Sequence, residues 1–158
     1  MSITQISKPV FLLVDDSDID LELIEDAIIE ASGKDNIEIK CAQNGIAALA
    51  FLNNESGYED EPRPDLIFLD LNMPRMSGRR FLCLMKEIDY LKDIPVVVLS
   101  SSDDENDIIE SVKAGASGYI VKTPDMSKFY EQVKLYCDNW KHGVRNMLSI
   151  HPRARFDY

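Results

Sequence analysis

The sequence predicts an α/β fold in which a parallel sheet carries helices on both faces. Four short apolar runs, VFLLV at 10–14, LIFL at 66–69, VVVL at 96–99 and YIV at 119–121, show little alternation and many β-branched residues. Strands buried on both faces look like this. Between the runs lie segments whose apolar residues recur at helical spacing, and strand, helix, strand repeated gives a parallel sheet covered by helices.

Taken in order, the first helical segment after VFLLV carries Leu21, Ile24, Ile28 and Ala31. IEIKCA at 37–42 is a more amphipathic strand, which predicts an edge position, and IAALAFL at 46–52 a second helix. The polar stretch NNESGYEDEPRP at 53–64 reads as a surface loop before the central strand. Phe81, Met85 and Ile88 mark a third helix, and Ile108, Ile109 and Val112 a fourth. Gly33, Gly45, Gly78, Gly115 and Gly118 punctuate the joints. The last helix, from about Met126 to Trp140, spaces Met126, Phe129, Val133, Tyr136 and Trp140 at steps of three and four, a stripe expected to pack on the sheet. Beyond Trp140 the chain turns mildly basic and loses periodicity.

The totals agree with one domain, since a chain of 158 residues falls within the usual ~100 to 200 per domain. A hydrophobic fraction of 45% with 28% charged residues is that of an ordinary globular protein. The net charge of −11 argues against nucleic acid as a direct partner, because phosphate backbones are bound mainly through Lys and Arg. The same charge suits a protein that collects cations. Cys41, Cys83 and Cys137 are odd in number and form no C-x-x-C pair, which points to reduced thiols, each expected to be a small buried residue. The apolar run near the N-terminus is too short for a signal peptide or a membrane span, and a cytoplasmic location is expected.

Each buried run ends abruptly in polar residues: VFLLV in Asp15-Asp16, LIFL in Asp70, VVVL in Ser100-Ser101 and YIV in Lys122. In an open parallel sheet these ends share the edge where such folds bind ligands, so three carboxylates, a hydroxyl and an ammonium converge. Crowded carboxylates either hold a proton or share a cation, and an oxygen-only set suits Mg²⁺, with Mn²⁺ as the alternative. An Asp beside Mg²⁺ is a competent nucleophile toward phosphorus. Lys122 would then face one phosphoryl oxygen and Ser100 another. Ser17, Asp18 and Asp20 crowd the following helix start and are assigned to capping rather than metal binding. A lone strand-end Asp is most often a cap or turn former, but caps need neither an acidic doublet at the first strand nor a Lys at the last.

VDDSD, LDLNMPRMSG, VVVLSSS and GYIVKTP, in this order and spacing, resemble the motifs of the bacterial response-regulator receiver domain over residues 8–140. The resemblance implies a flavodoxin-like, doubly wound (βα)5 sandwich with strand order 2-1-3-4-5. It implies Asp70 as phosphoacceptor, Asp16 as the direct metal carboxylate, Asp15 as its water-mediated partner and Asn72 as donor of a backbone carbonyl to the metal. Ser100 matches the switch Ser/Thr, Lys122 the phosphate-binding lysine and Tyr119 the aromatic switch position. Met73-Pro74 and Gly78 match the loop after the acceptor, and Asn72 with Ser102 line the path of the hydrolytic water. No organic cofactor is implied. The long loop before the central strand and FYEQVKLYCDNW are similar to the single-domain subgroup that includes cyanobacterial phytochrome response regulators.

On this reading a sensor histidine kinase or phosphotransfer protein supplies the phosphoryl group, and the receiver catalyses only its own phosphorylation and dephosphorylation. The added charge draws Ser100 toward it, Tyr119 repacks inward, and helix 4, strand 5 and helix 5 present a different surface to a downstream protein. Membranes are not expected as partners, and the eighteen residues after Trp140 leave no room for a DNA-binding or enzymatic output domain. The tail 141–158 is expected either to be flexible or to join Tyr130, Tyr136 and Trp140 in a homodimer contact through helices 4 and 5. One departure stands out: the family has Lys followed directly by Pro across a cis bond, whereas Thr123 intervenes here before Pro124. Either a cis Lys122–Thr123 bond or a trans bond with an altered loop is expected. Two rivals remain. A haloacid-dehalogenase-type phosphohydrolase also uses a strand-end Asp, but wants a second Asp where Asn72 stands; a degenerate receiver acting as a constitutive interaction module has no reason to keep Asp15, Asp16, Asp70, Ser100 and Lys122 together.

Overall fold

The computed structural model describes residues 8–55 and 57–143. Five strands, β1 (Val10–Val14), β2 (Glu38–Ala42), β3 (Leu66–Asp70), β4 (Val96–Ser100) and β5 (Gly118–Val121), alternate with five helices. The helices are α1 (Asp18–Ser32), α2 (Gly45–Leu52), α3 (Gly78–Lys86), α4 (Glu105–Lys113) and α5 (Met126–Lys141). All strand pairs are parallel and the order is β2-β1-β3-β4-β5, as the resemblance implied. The order reverses at β1, which leaves a crevice between the carboxyl ends of β1 and β3.

Alternation along each strand divides the core in two. Leu12, Val14, Ile67, Leu69, Val96 and Val98 face α2, α3 and α4, meeting Phe51, Phe81, Leu82 and Ile108. Phe11, Leu13, Leu66, Phe68, Val97 and Leu99 face α1 and α5, meeting Ile24, Ile28, Phe129 and Val133. β2 is half-exposed along most of its length, as its edge position predicted. Every helix has a polar N-cap whose side chain accepts a backbone N–H: Ser17, Asn44, Ser77, Asp104 and Asp125.

Several expectations need correcting. Cys41 and Cys83 are exposed and only Cys137 is buried; in α3 Cys83 lies two residues, about 200°, from Phe81 and so on the opposite face of the helix. Ile88 lies beyond the end of α3. Ser111, not Val112, joins Ile108 as a buried residue of α4, its hydroxyl satisfied by the Asp107 carbonyl at 2.8 Å. Met126 is exposed. Tyr136 is buried, its hydroxyl donating to the Tyr119 carbonyl at 2.9 Å and accepting from the Tyr119 N–H at 3.1 Å. It is therefore withdrawn from any surface contact. Gly118 makes this clasp feasible, because a Cβ there would lie 2.5 Å from the Tyr136 ring. Trp140 packs edge-on against Phe11. Residues 144–158, most of the basic tail, lie outside the described residues.

Candidate functional site

The site begins where the central strands stop. Asp15 follows β1, and its backbone N–H still donates to the Ala42 carbonyl at 3.1 Å. Asp70 closes β3, and Leu71 continues the ladder to Leu99 at 3.1 Å. Both carboxylates are buried, while Asp16 and Asn72 are exposed. One carboxylate oxygen from each of Asp15, Asp16 and Asp70 lies within 4.8 Å of the others. Three hard anionic oxygens and no sulfur or nitrogen ligand suit a divalent cation of the Mg²⁺ or Mn²⁺ type.

Lys122 reaches into this cluster from the end of β5, whose pairing is extended by the Lys122 N–H to the Ser100 carbonyl at 2.7 Å. Its ammonium donates to Asp20 Oδ2 at 2.8 Å, Asp15 Oδ2 at 2.9 Å and Asp70 Oδ1 at 3.2 Å. Burial by itself would lower the Lys122 pKa, but hydrogen bonds to Asp20 and Asp15 and the charges of Asp70 and Asp15 outweigh it and raise the value. Burial pushes the Asp70 carboxyl up to about 6, with Lys122 opposing and Asp15 adding to the rise.

The Asp20 contact corrects its assignment to capping. Ser17 is the cap, accepting the Asp20 backbone N–H at 3.2 Å, and the Asp20 side chain turns to Lys122. Asp18 stays in the first turn, as an acceptor for the Gln43 amide. A signal was available, since Asp20 stands four residues before the buried Ile24 and thus on the side of α1 that meets the sheet.

On the other flank, Ser100 is buried and its Oγ accepts the Ser102 N–H at 3.1 Å. The Ser102 carbonyl accepts the Tyr119 hydroxyl at 2.8 Å, and the Ser102 hydroxyl donates to Asp107 at 2.5 Å. Arg79 of α3 faces the same Asp107 carboxylate at 3.7 Å. Tyr119 is already inside, 1% exposed, so the inward position expected after phosphorylation is the one this structure has. The reason is local: its ring fills the core between β5 and α4, and its hydroxyl finds the Ser102 carbonyl.

The loop after β3 is shaped by two residues. Arg75 adopts a left-handed φ of 68°, and a Cβ on Gly78 would lie 2.2 Å from the Asp70 carbonyl oxygen. Only glycine lets α3 start this close to the acidic strand end. Of the two alternatives for Lys122–Thr123, the structure has the trans bond, since no described peptide bond is cis. The Thr123 hydroxyl instead accepts the Asp125 N–H at 3.2 Å and leads into the α5 cap.

This fold and this strand edge define a class. The family model for the response regulator receiver domain matches residues 11–134, and the chain belongs to that family, a component of two-component signalling. It is similar to the response regulator Rcp1 of Synechocystis sp., 39% identical over 135 residues that cover 85% of this chain and 90% of that protein. It is also similar to the polar-differentiation response regulator DivK of Brucella anthropi, 31% identical over 125 residues, covering 79% and 93%. Among solved structures, the phosphorylated cyanobacterial phytochrome response regulator RcpA matches with a TM-score of 0.79 at 36% identity, covering 87% of this chain and 96% of that one. The Mn²⁺-bound form of Rcp1 matches with a TM-score of 0.75 at 37% identity, covering 84% and 94%. Receiver domains work with histidine kinases or phosphotransfer proteins and with downstream targets. Among the described residues, no helix is long and apolar enough to cross a membrane.

Proposed function

We propose that Asp70 is the phosphoacceptor of a cytoplasmic response regulator, taking the phosphoryl group from a sensor histidine kinase or phosphotransfer protein and altering a protein-binding surface. The observation that carries this reading is the buried Asp70 carboxylate with the Lys122 ammonium 3.2 Å away and two further carboxylates beside it. A carboxylate oxygen of Asp70 forms the bond to phosphorus as the phosphorus–nitrogen bond of a phosphohistidine protonated on its other ring nitrogen breaks; the electron pair returns to the ring, and the imidazole leaves neutral. Asp15, Asp16, Asp70 and the Asn72 carbonyl would hold Mg²⁺, which when bound supplies positive charge to the phosphoryl oxygens. Lys122 supplies further charge, and the Ser100 hydroxyl turns from Ser102 to a phosphoryl oxygen. A transfer of this kind rests on placement and charge neutralisation, which these residues provide. Asn72 stands where a phosphohydrolase would need its acid/base Asp, so no turnover of phosphate esters is expected.

Acetyl phosphate with Mg²⁺ should label the wild-type chain once, at Asp70, as read by intact-mass and peptide spectrometry. Asp70→Asn should take up no label; labelling at the wild-type rate would sink the reading. A homodimer through α4 and α5 would have to use exposed Leu135 and half-buried Tyr130 rather than Tyr136. Light scattering with and without beryllofluoride checks that part, and an unchanged monomer mass would remove it.

A further inference from the structure

We propose that Asp20 is a positioning residue for the phosphoryl transfer: its carboxylate occupies one of the three donors of the Lys122 ammonium and lets go when the phosphoryl group arrives. The proposal rests on Asp70 being the acceptor. A lysine ammonium has three N–H donors, and here three carboxylates take them, Asp20 at 2.8 Å, Asp15 at 2.9 Å and Asp70 at 3.2 Å. A phosphoryl oxygen that binds Lys122 must therefore displace one of them.

Solvent access decides which. The Asp15 and Asp70 side chains are 1% and 6% exposed, whereas that of Asp20 is 36% exposed. A released Asp20 carboxylate meets water; a released Asp15, buried, would be left with the shared cation as its one counter-charge. Asp20 also stands outside the three carboxylates that can share a cation. No covalent bond changes at Asp20, which exchanges one ammonium hydrogen bond for water. Until then it holds Lys122 at the strand edge and competes with the phosphoryl group for the same cation.

The helix itself supplies the controls. The cap on α1 uses the Asp20 backbone N–H, which alanine keeps, so Asp20→Ala leaves the helix start intact. Asp18, an exposed acid of the same turn, bonds Gln43 instead of Lys122. Asp18→Ala therefore measures what removing any nearby negative charge does to an anionic donor.

The experiment compares the full chain with Asp20→Ala, Asp18→Ala, Lys122→Ala and the Asp20→Ala/Lys122→Ala pair. With Mg²⁺ and acetyl phosphate, Asp20→Ala should label Asp70 about 3- to 5-fold faster than Asp18→Ala, the range an ion pair of this exposure supports. It should half-saturate with beryllofluoride at a correspondingly lower concentration. In the Lys122→Ala background the same substitution should gain no more than Asp18→Ala does. In metal-free protein, urea unfolding of the four-member cycle should show the Asp20 and Lys122 effects to be non-additive. A gain no larger than that of Asp18→Ala, a larger gain that survives without Lys122, a slower Asp20→Ala protein, or an additive cycle would each overturn the proposal. Wild-type protein that does not label at Asp70 would overturn the acceptor assignment and this proposal with it, and that is read before any Asp20 variant is compared.

Discussion

On one flank of Asp70 a single ammonium is divided among Asp15, Asp20 and Asp70; on the other, hydrogen bonds run from Ser100 through Ser102 to Tyr119. The first flank is held by charge in a mostly dry setting, where removing one partner strands the others. From Ser100 to Tyr119 the second is held by single bonds between neutral groups, each worth about 0.5–1.5 kcal/mol net, and meets a charge only where the Ser102 hydroxyl reaches Asp107. A new anion at Asp70 therefore finds one side that can neutralise it at once and another that is loose enough to rearrange around it. On the proposed function, chemistry would belong to the charged side and switching to the neutral one.

The hardest test of that division compares Lys122→Ala with Ser100→Ala. Losing the ammonium leaves Asp15 and Asp70 buried without their counter-charge. Labelling by acetyl phosphate should fall about 100-fold or more, in line with removal of one transition-state donor, and metal-free stability by about 3 kcal/mol. Ser100→Ala removes the acceptor for the Ser102 N–H and a side-chain hydrogen bond with Tyr119, at a cost of about 1–2 kcal/mol, and should slow labelling far less. Equal losses of labelling in the two variants would erase the distinction between the flanks.

A smaller effect separates the charge problem at Asp70 from its chemistry. Its folded pKa of about 6 lies above the ordinary aspartate value, so the folded state binds the proton more tightly than the unfolded chain does. The stability this contributes is complete below the ordinary value and is lost as pH rises through about 6, leaving an ionised, buried carboxylate at neutrality. Asp70→Asn, expected to take up no label, should thus be more stable than wild type by about 1–3 kcal/mol at pH 7.5 without metal. That gain should fade toward pH 4, as followed by urea unfolding across the range. Mg²⁺ should close part of the gap by stabilising wild type more than the variant. A pH-independent difference would mean that burial does not govern Asp70.

How much of this was legible depends on what kind of contrast a residue makes with its neighbours. Asp15, Asp16, Asp70, Ser100 and Lys122 stand out because each interrupts an apolar run at its carboxyl end, and parallel topology then brings them together whatever their separation in the chain. The edge position of β2 was legible for the same reason, since a half-exposed strand alternates. Asp20 was not, because an acid at a helix start already has a local reason to be there, and its partner lies 102 residues away. The inner position of Tyr119 was hidden too, as it depends on the Ser102 carbonyl, which no side-chain pattern reports. Cys83 could have been placed by phase against Phe81 and Met85; treating cysteine as an apolar type overrode that geometry.

The finest probe of the neutral flank is Tyr119→Phe. It keeps the ring in the core beside Ile108 and deletes only the hydroxyl that donates to the Ser102 carbonyl at 2.8 Å. Because Ser102 also donates to Ser100 through its N–H and to Asp107 through its hydroxyl, the loss loosens a junction rather than a single contact. Metal-free stability should drop by only about 0.5–1.5 kcal/mol. Labelling of Asp70 by acetyl phosphate should stay near wild type, because the ammonium and the carboxylates are untouched. The change should instead appear as faster amide exchange at Ser102 and through the first turn of α4 in the unphosphorylated protein, since a tether on that loop is gone. If amide protection there is unaltered while labelling slows, Tyr119 belongs with the charged flank and the functional split between the two sides of Asp70 is wrong.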